Sequence, residues 1–499
     1  MRSVWVKWTV VVLLLIALIA RIYQIDSLSN QFHTVRQLYT AQMVRGQYFN
    51  SLSNIEEWRR EIAFLNQPAM LEPPVVQTIA LLGDYLLGHE NLWIPRTLSA
   101  VMWVIGGYFL FLTAKKLMRD EAALVALAFY LFTSFGIEAS RSFQANPSMV
   151  ATIVMSWYAI LNYFEKPSRW RSIAAGVIAG ISILILIYAV FMIFPFAIWM
   201  ASRKYGLRRI FIRQDTWIFG VLALLPAGIY YFIGFFVAGF LRNQTGALFN
   251  ARLWLSLDYW VDWLGRSGIV VGFLPLILSI QALITTRKSL QADTLRSLWL
   301  GYFLYGFIIN WPISSHDYYS LPIIPIVALS IASTIDYVIV RLPAPIKRPY
   351  IAIAVLLLIG VISIGGLAYY LPKTIVTSDE IQAVKTSEEI GAMLNHSPNV
   401  IFLTDDYGSR LRYYGEISGY GWPDRWSAYA DAVAGRPQLS ADKYFEHIDA
   451  GSTYRYFVIT AFDELELQPD LQAFLETNFP VLAHSDNYLI YDLQASRTG

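Results

Sequence analysis

No cysteine occurs among the 499 residues of the chain, which excludes disulfides and thiolate metal sites and leaves the redox compartment open. Charge is also scarce. Asp, Glu, Lys and Arg make up 15% of the residues, against about 25% in soluble domains. Hydrophobic residues account for 56%, and the mean hydropathy is +0.45. That balance describes an integral membrane protein. The net charge of +2 favours neither nucleic acid nor a strongly anionic partner. Familiar reaction signatures are missing: no G-x-x-x-x-G-K-[ST] loop, no H-E-x-x-H and no G-x-S-x-G. Internal repeats and low-complexity tracts are absent too.

What the chain does have is long apolar stretches. A spanning helix needs roughly 20 apolar residues, and the pattern predicts about eleven spans. They lie near 6–23, 92–114, 121–139, 148–164, 171–186, 188–202, 216–238, 268–285, 295–310, 319–339 and 349–371. The first follows Arg2 and contains Lys7, with no small-residue cleavage site after it, and reads as an uncleaved span. Basic residues gather in alternate loops: Lys115, Lys116 and Arg119; Lys166, Arg169 and Arg171; Arg203, Lys204, Arg208 and Arg209; Arg287, Lys288 and Arg296; Arg341, Lys347 and Arg348. The positive-inside rule makes that side cytoplasmic, with the N-terminus. An odd number of spans then places the C-terminus outside.

The 16 tryptophans and 31 tyrosines suit interfacial belts. Within the outer loop 24–91, residues 34–46 are helical in pattern. The apolar stretch Val75–Leu87 is too short to span and suits the interface. Residues 1–372 read as the membrane domain, this loop included. Residues 373–499 read as an extracytoplasmic α/β domain, with strands near 399–404, 454–460, 479–484 and 486–492 and helices near 378–395, 423–434, 439–449 and 468–478. The expected fold class is an α-helical polytopic membrane protein with a C-terminal α/β domain.

Ionisable groups beside a bilayer are expensive unless they line a cavity, and here they concentrate on the outer side. In Phe32-His33-Thr34-Val35-Arg36-Gln37, helical spacing puts His33, Arg36 and Gln37 on one face. Imidazole suits proton transfer, with an ordinary pKa of about 6.5. The guanidinium fork suits phosphate, and Gln37 adds a hydrogen-bonding amide. A solvated helix face fits the same residues. Glu72 precedes Pro73-Pro74; Pro73 biases it away from the α region, as Pro74 does Pro73. It suits a sugar hydroxyl or a second acid–base role, or equally a charge at a helix N-terminus.

The turn 140–147 holds Arg141, an anion ligand or a snorkelling side chain, and Asn146, a candidate cap for a helix begun by Pro147. In the segment 315–325, His316 and Asp317 are adjacent and do not face each other on a helix, so a catalytic dyad is disfavoured. With Tyr318 and Tyr319 they supply donors for a phosphate or sugar, or an interfacial tyrosine belt. Acidic residues are sparse in all these blocks, which argues against an essential divalent ion. No cofactor is indicated.

Taken in order, these blocks resemble a known family. An N-terminal span is followed by H-x-x-R-Q, then Glu72-Pro73-Pro74, then Pro95-Arg96-Thr97-Leu98-Ser99-Ala100. After these come S-R-x-F-x-x-N-P from Ser140 and H-D-Y-Y-x-L-P-x-x-P from His316. Over residues 1 to about 370 this is similar to the integral-membrane GT-C glycosyltransferases, the group around protein O-mannosyltransferases and aminoarabinose lipid A transferases. It looks closest to a bacterial branch carrying H-x-W-R-Q. The resemblance implies transfer of a sugar from a polyprenyl-phosphate donor to a lipid, glycan or protein acceptor on the outer face of the cytoplasmic membrane. It places His33 where many members have a catalytic aspartate, Arg36 and Gln37 in the branch motif, and Glu72 near the donor. Arg141 and Asn146 match a turn motif, and His316, Asp317 and Tyr319 match the donor-phosphate region. Val35 replaces the usual tryptophan, Asn146 a commoner aspartate, and Ile187-Tyr188 a frequent lysine. Arg141, Arg36 or Arg96 is then left to offset the phosphate. With His33 as base, the rate would fall below about pH 6.

Other readings remain open. A polysaccharide ligase or polymerase using a lipid diphosphate would draw on Arg36, Arg141, Arg242, Arg252 and Arg266. A lipid or solute transporter is less favoured, because charges sit at the outer ends of spans rather than mid-membrane. A non-catalytic GT-C protein would account for the missing aspartate and lysine.

Overall fold

The computed structural model describes residues 2–27, 32–242, 249–285, 289–341, 349–428, 439–449 and 453–495. The chain divides into two compact units. Met1–Asp26, Ala69–Gly83 and Asn91–Ile375 form one, and Ser27–Pro68, Asp84–Glu90 and Val376–Gly499 form the other.

The first unit is helical, and helices occupy each expected apolar position. They are Arg2–Ile22, Trp93–Leu117, Asp120–Phe132 continued by Ser134–Ala139, Ala145–Glu165, Arg169–Ile185 and Ala189–Tyr205, then Gln214–Phe232, Leu257–Val271 with Phe273–Thr285, Leu290–Ile308, Ile323–Arg341 and Pro349–Tyr370. Among the described residues, five helices, beginning at Val4, Trp93, Gln214, Ile323 and Tyr350, are long and apolar enough to cross a membrane. Leu257–Val271 and Phe273–Ile284 would make a sixth, but they meet at 102° rather than forming the straight span expected at 268–285. Gly272, at φ 85°, takes the left-handed conformation between them, which costs glycine little.

Asp120–Phe132 is buried from Glu121 onward, as befits a helix that is apolar all round and enclosed by neighbours. Small residues let backbones approach closely in such bundles. A Cβ on Gly366 would lie 1.8 Å from the Phe132 carbonyl oxygen, and one on Gly180 2.3 Å from that of Leu222.

The second unit is built on a five-stranded sheet. The strands are β1 (Val400–Leu403), β2 (Gly419–Gly421), β3 (Tyr456–Ile459), β4 (Val481–His484) and β5 (Leu489–Asp492). Their order is β2-β1-β3-β5-β4. β1 runs parallel to β2 and β3, whereas β5 is antiparallel to β3 and β4. The central strands are covered on both faces, which is why they read as unbroken apolar runs. Val400, Phe402 and Val458 pack with Ile390, Leu411 and Ile490. Ile401, Leu403, Phe457 and Ile459 pack with Leu465, Leu471 and Leu475. The helices Ser378–Met393, Ala441–Ile448 and Pro469–Asn478 lie where the sequence places them. The expected helix at 423–434 falls partly outside the described residues. Strand β2 was not anticipated, because Gly-Tyr-Gly carries no apolar alternation.

The outer loop does not belong wholly with the membrane helices. Its helices Thr34–Ser51 and Glu57–Leu65 fall in the same unit as the sheet. Arg45 ion-pairs with Glu90 at 2.9 Å and also donates to the Tyr413 carbonyl. Arg59 donates to Glu416, with Nε at 2.9 Å. Asn66 donates to the Ile417 carbonyl at 2.8 Å, and Trp58 stacks on His396 at 4.2 Å. Apart from Arg45 and Glu90, which are 45 positions apart, these partners lie more than 300 positions apart in sequence, so local pattern could not reveal them.

Candidate functional site

In the helical unit, the turn after Ser134–Ala139 buries a polar set. Arg21, at the end of the first helix, is fully buried. It donates to Ser140 Oγ at 2.7 Å and to the Leu131 carbonyl at 2.7 Å. Arg141 is also buried. Its Nη2 donates to the carbonyls of Tyr23 (2.6 Å) and Gln24 (3.0 Å), and its guanidinium lies 5.3 Å from the Tyr370 ring centre. Arg141 Nε and Nη1 make no hydrogen bond to any described residue, and neither polar atom of the Gln144 amide does. Buried donors are nearly always satisfied, so these mark a place where a polar ligand or water belongs. Burial, together with the neighbouring Arg96 charge, lowers the Arg141 pKa to about 10. It therefore stays cationic at neutral pH, and the two arginines share one electropositive locality. Arg96 Nη1 donates to the Ile25 carbonyl at 3.2 Å. Asn146 is buried in the first turn of Ala145–Glu165. The capping position belongs to Gln144, so the helix starts before Pro147 rather than at it.

The segment around His316 forms an aromatic cluster. His316 is exposed at the end of Asn310–Ser315 and bonds through Nδ1 to Ser315 Oγ at 2.8 Å. Asp317 opens the short helical turn Asp317–Ser320. The Tyr319 ring meets Tyr188 edge-on at 5.8 Å, and Tyr188 packs on Tyr305 at 5.8 Å. Tyr188 thus takes an aromatic role at the position where a lysine had been looked for. Glu72 is half-buried. The Tyr230 hydroxyl donates to the carbonyls of Met70 (3.1 Å) and Glu72 (3.0 Å), which fixes the backbone entering Pro73-Pro74.

His33, Arg36 and Gln37 lie in the other unit. The helix begins at Thr34, so His33 caps it rather than standing on its face. His33 is left-handed, with φ 49° and ψ 56°. For a residue with a Cβ this costs roughly 1–2 kcal/mol, and such strain is often held at functional sites. Its ring meets Phe32 edge-on at 4.6 Å. Gln37 is buried, and its Nε2 donates to the Phe32 carbonyl at 2.8 Å, bracing the turn that presents His33. The Arg36 guanidinium lies 5.5 Å from the Tyr39 ring centre.

Sequence reading passed over Arg21, Gln144 and Tyr370. Gln144 is one of the unassigned positions of the turn 140–147, and Arg21 falls within the apolar span 6–23. Among the described residues, no group of three or more His, Asp or Glu side chains is arranged to hold a metal ion.

Residues 71–232 match the family described as dolichyl-phosphate-mannose-protein mannosyltransferase. No curated protein matches the chain by sequence at a significant level. Among solved structures, the fold is similar to ArnT from Cupriavidus metallidurans in the apo state, with TM-score 0.61, 14% identity and 97% of each chain covered. It is similar to the same protein bound to undecaprenyl phosphate, with TM-score 0.59, 14% identity and 99% of each chain covered. It is also similar to the oligosaccharyltransferase AglB from Archaeoglobus fulgidus in complex with an inhibitory peptide and a dolichol-phosphate. That match has TM-score 0.55 and 12% identity, and covers 99% of this chain and 74% of the other.

Proposed function

We infer that this chain, a membrane protein of the GT-C glycosyltransferase superfamily, moves a sugar from a polyprenyl-phosphate donor to a lipid, glycan or protein acceptor. The transfer takes place on the outer face of the cytoplasmic membrane, with inversion at the anomeric carbon. One observation carries the reading: Arg141, buried and cationic, keeps Nε and Nη1 without partners among the described residues. Its fold matches, end to end, a protein whose structure holds undecaprenyl phosphate.

The acceptor hydroxyl or amine attacks the anomeric carbon and gives its proton to a general base, the role the family resemblance gives His33. The bond to the phosphate oxygen breaks, and polyprenyl phosphate leaves with the electron pair. Charge then grows on the phosphate, where fixed cations act most strongly. Arg141 and Arg96, both in the helical unit, supply that stabilisation. Glu72 takes sugar hydroxyls or assists proton transfer. His316, Asp317 and Tyr319 contribute donors and an aromatic edge at the head of the donor, and Asn146 adds a buried amide. Gln37 acts indirectly, by holding the turn that presents His33. The basic loops face the cytoplasm, which puts the turn 140–147 and the sheet-bearing unit outside.

The test is a kinetic comparison of Arg141→Gln and His33→Ala with the parent protein in proteoliposomes supplied with labelled polyprenyl-phosphate sugars. Loss of a charged hydrogen bond costs about 1.5–3 kcal/mol, so R141Q should raise the donor KM roughly 10- to 100-fold. Loss of a general base lowers kcat by about 10²–10⁴, which is the H33A expectation. Undiminished transfer by both variants contradicts these roles.

A further inference from the structure

Far from Arg141 in the helical unit, a cavity of about 570 Å³ opens between the helices Ala189–Tyr205 and Gln214–Phe232. Its walls include Phe194, Ala197 and Ala201 on one helix and Trp217, Gly220 and Leu224 on the other. It lies at the basic-loop end of the bundle. Ile160 and Tyr163, near the end of Ala145–Glu165, also line it, and at 1.5 Å per residue that is about 22 Å from the start of the helix that follows Arg141. The room is built in. A Cβ on Gly220 or Gly228, both in the lining, would meet no atom within 4 Å.

The rim is polar and positive. The short helix Leu207–Ile210 sends Leu207 and Ile210 into the lining and leaves Arg208 and Arg209 exposed. The acid at the rim, Asp215, is already engaged by the Tyr163 hydroxyl at 2.7 Å and Arg213 Nη2 at 2.6 Å. Nearby, Arg203 is ion-paired with Asp293. Among the described residues Arg208 and Arg209, beside the lining residues Leu207 and Ile210, have no acidic partner, nor has Lys204, whose ammonium donates to the carbonyl of the lining residue Phe164.

We propose that this cavity is a binding site for an anionic glycerophospholipid of the leaflet facing the basic loops, its acyl chains between the two helices and its phosphate at Arg208 and Arg209. An apolar tail with one anionic head matches apolar walls with a cationic rim. Each Lys or Arg near an anionic surface adds attraction. The site is separate from the sugar-transfer residues and does not depend on them.

The probes are phosphatidylglycerol and phosphatidylcholine brominated on their acyl chains, titrated into mixed micelles of the full-length protein with tryptophan fluorescence as the readout. Phosphatidylglycerol should quench saturably at a roughly tenfold lower mole fraction than phosphatidylcholine, and Trp217→Phe should remove part of that signal. Gly220→Leu, whose side chain enters open space, should abolish the saturable component. Ala197→Phe checks the same from the opposite wall. The double change Arg208→Gln and Arg209→Gln should make the two lipids equivalent. Equal quenching by both lipids in the parent protein would overturn the proposal. So would saturable quenching that survives both cavity-filling variants, or displacement of phosphatidylglycerol by equimolar polyprenyl phosphate.

Discussion

Replacing Glu90 with alanine should release the helix that presents His33. Glu90 accepts from Arg45 Nε at 2.9 and 3.0 Å and from the Tyr413 hydroxyl at 2.6 Å. The Arg45 and Glu90 side chains are 11% and 18% exposed. Burial works against the Arg45 charge, but Glu90 and Tyr413 outweigh it and hold its pKa above the ordinary value. Truncating one partner of such a buried pair leaves an uncompensated charge and costs about 3–5 kcal/mol. The Tyr413 hydroxyl loses its acceptor as well. Total stabilities run to about 5–15 kcal/mol, so this is enough to open the region locally without unfolding the sheet. Glu90→Gln keeps an acceptor oxygen and should cost less than half as much, near 1–2 kcal/mol. Hydrogen exchange in the full-length protein reads this directly. Amides of Thr34–Ser51 and Ser409–Tyr413 should exchange roughly a hundredfold to a few thousandfold faster in E90A, since each 1.4 kcal/mol is a factor of ten. Unchanged protection across Thr34–Ser51 would refute the idea that Arg45, Glu90 and Tyr413 hold this helix against Ser409–Tyr413.

Two further perturbations probe the same unit. A Cβ on Gly419 would lie 1.7 Å from the Val400 carbonyl oxygen, so Gly419→Ala should push β2 off β1 and cost roughly 3 kcal/mol or more, seen as a lowered melting temperature. Burial, then the charges of Asp463, Asp406 and Glu464, raise the Asp405 pKa. A carboxyl raised in the folded state loses stability as pH climbs from its unfolded to its folded pKa, and the loss persists above that. Asp405→Asn should therefore melt higher than the parent at pH 7, and the difference should vanish as pH falls below about 4. A gap that widens on acidification would reverse the sign and the reasoning.

The helices of the membrane unit were legible because spanning the bilayer imposes length and apolarity on each segment. The 102° bend at Gly272 was not, since a single glycine in an apolar run carries no directional signal. In the sheet, β1 and β3 stood out as buried apolar runs, while β2 is held by the pairing of Gly419 with Val400. The His33 block was read as polar correctly but one residue too far into the helix. Periodicity gives a face; it cannot show a left-handed cap. The engagement of Thr34–Ser51 with Ser409–Tyr413 rests on Arg45, Glu90 and Tyr413, which no local window contains. Arg141 was found by its position in a turn, but its unsatisfied N–H groups became visible only once its neighbours were placed.

The central claim is tested most directly by the products of one reaction. Purified protein in proteoliposomes is given a panel of labelled sugars linked to polyprenyl phosphate, polyprenyl diphosphate or a nucleotide, with the anomeric configuration of the product read by NMR. Transfer should occur from a polyprenyl-phosphate sugar, with one polyprenyl phosphate released per sugar moved and an inverted anomeric centre. Transfer from the diphosphate or nucleotide donor alone, a retained configuration, or no transfer from any donor would contradict the claim.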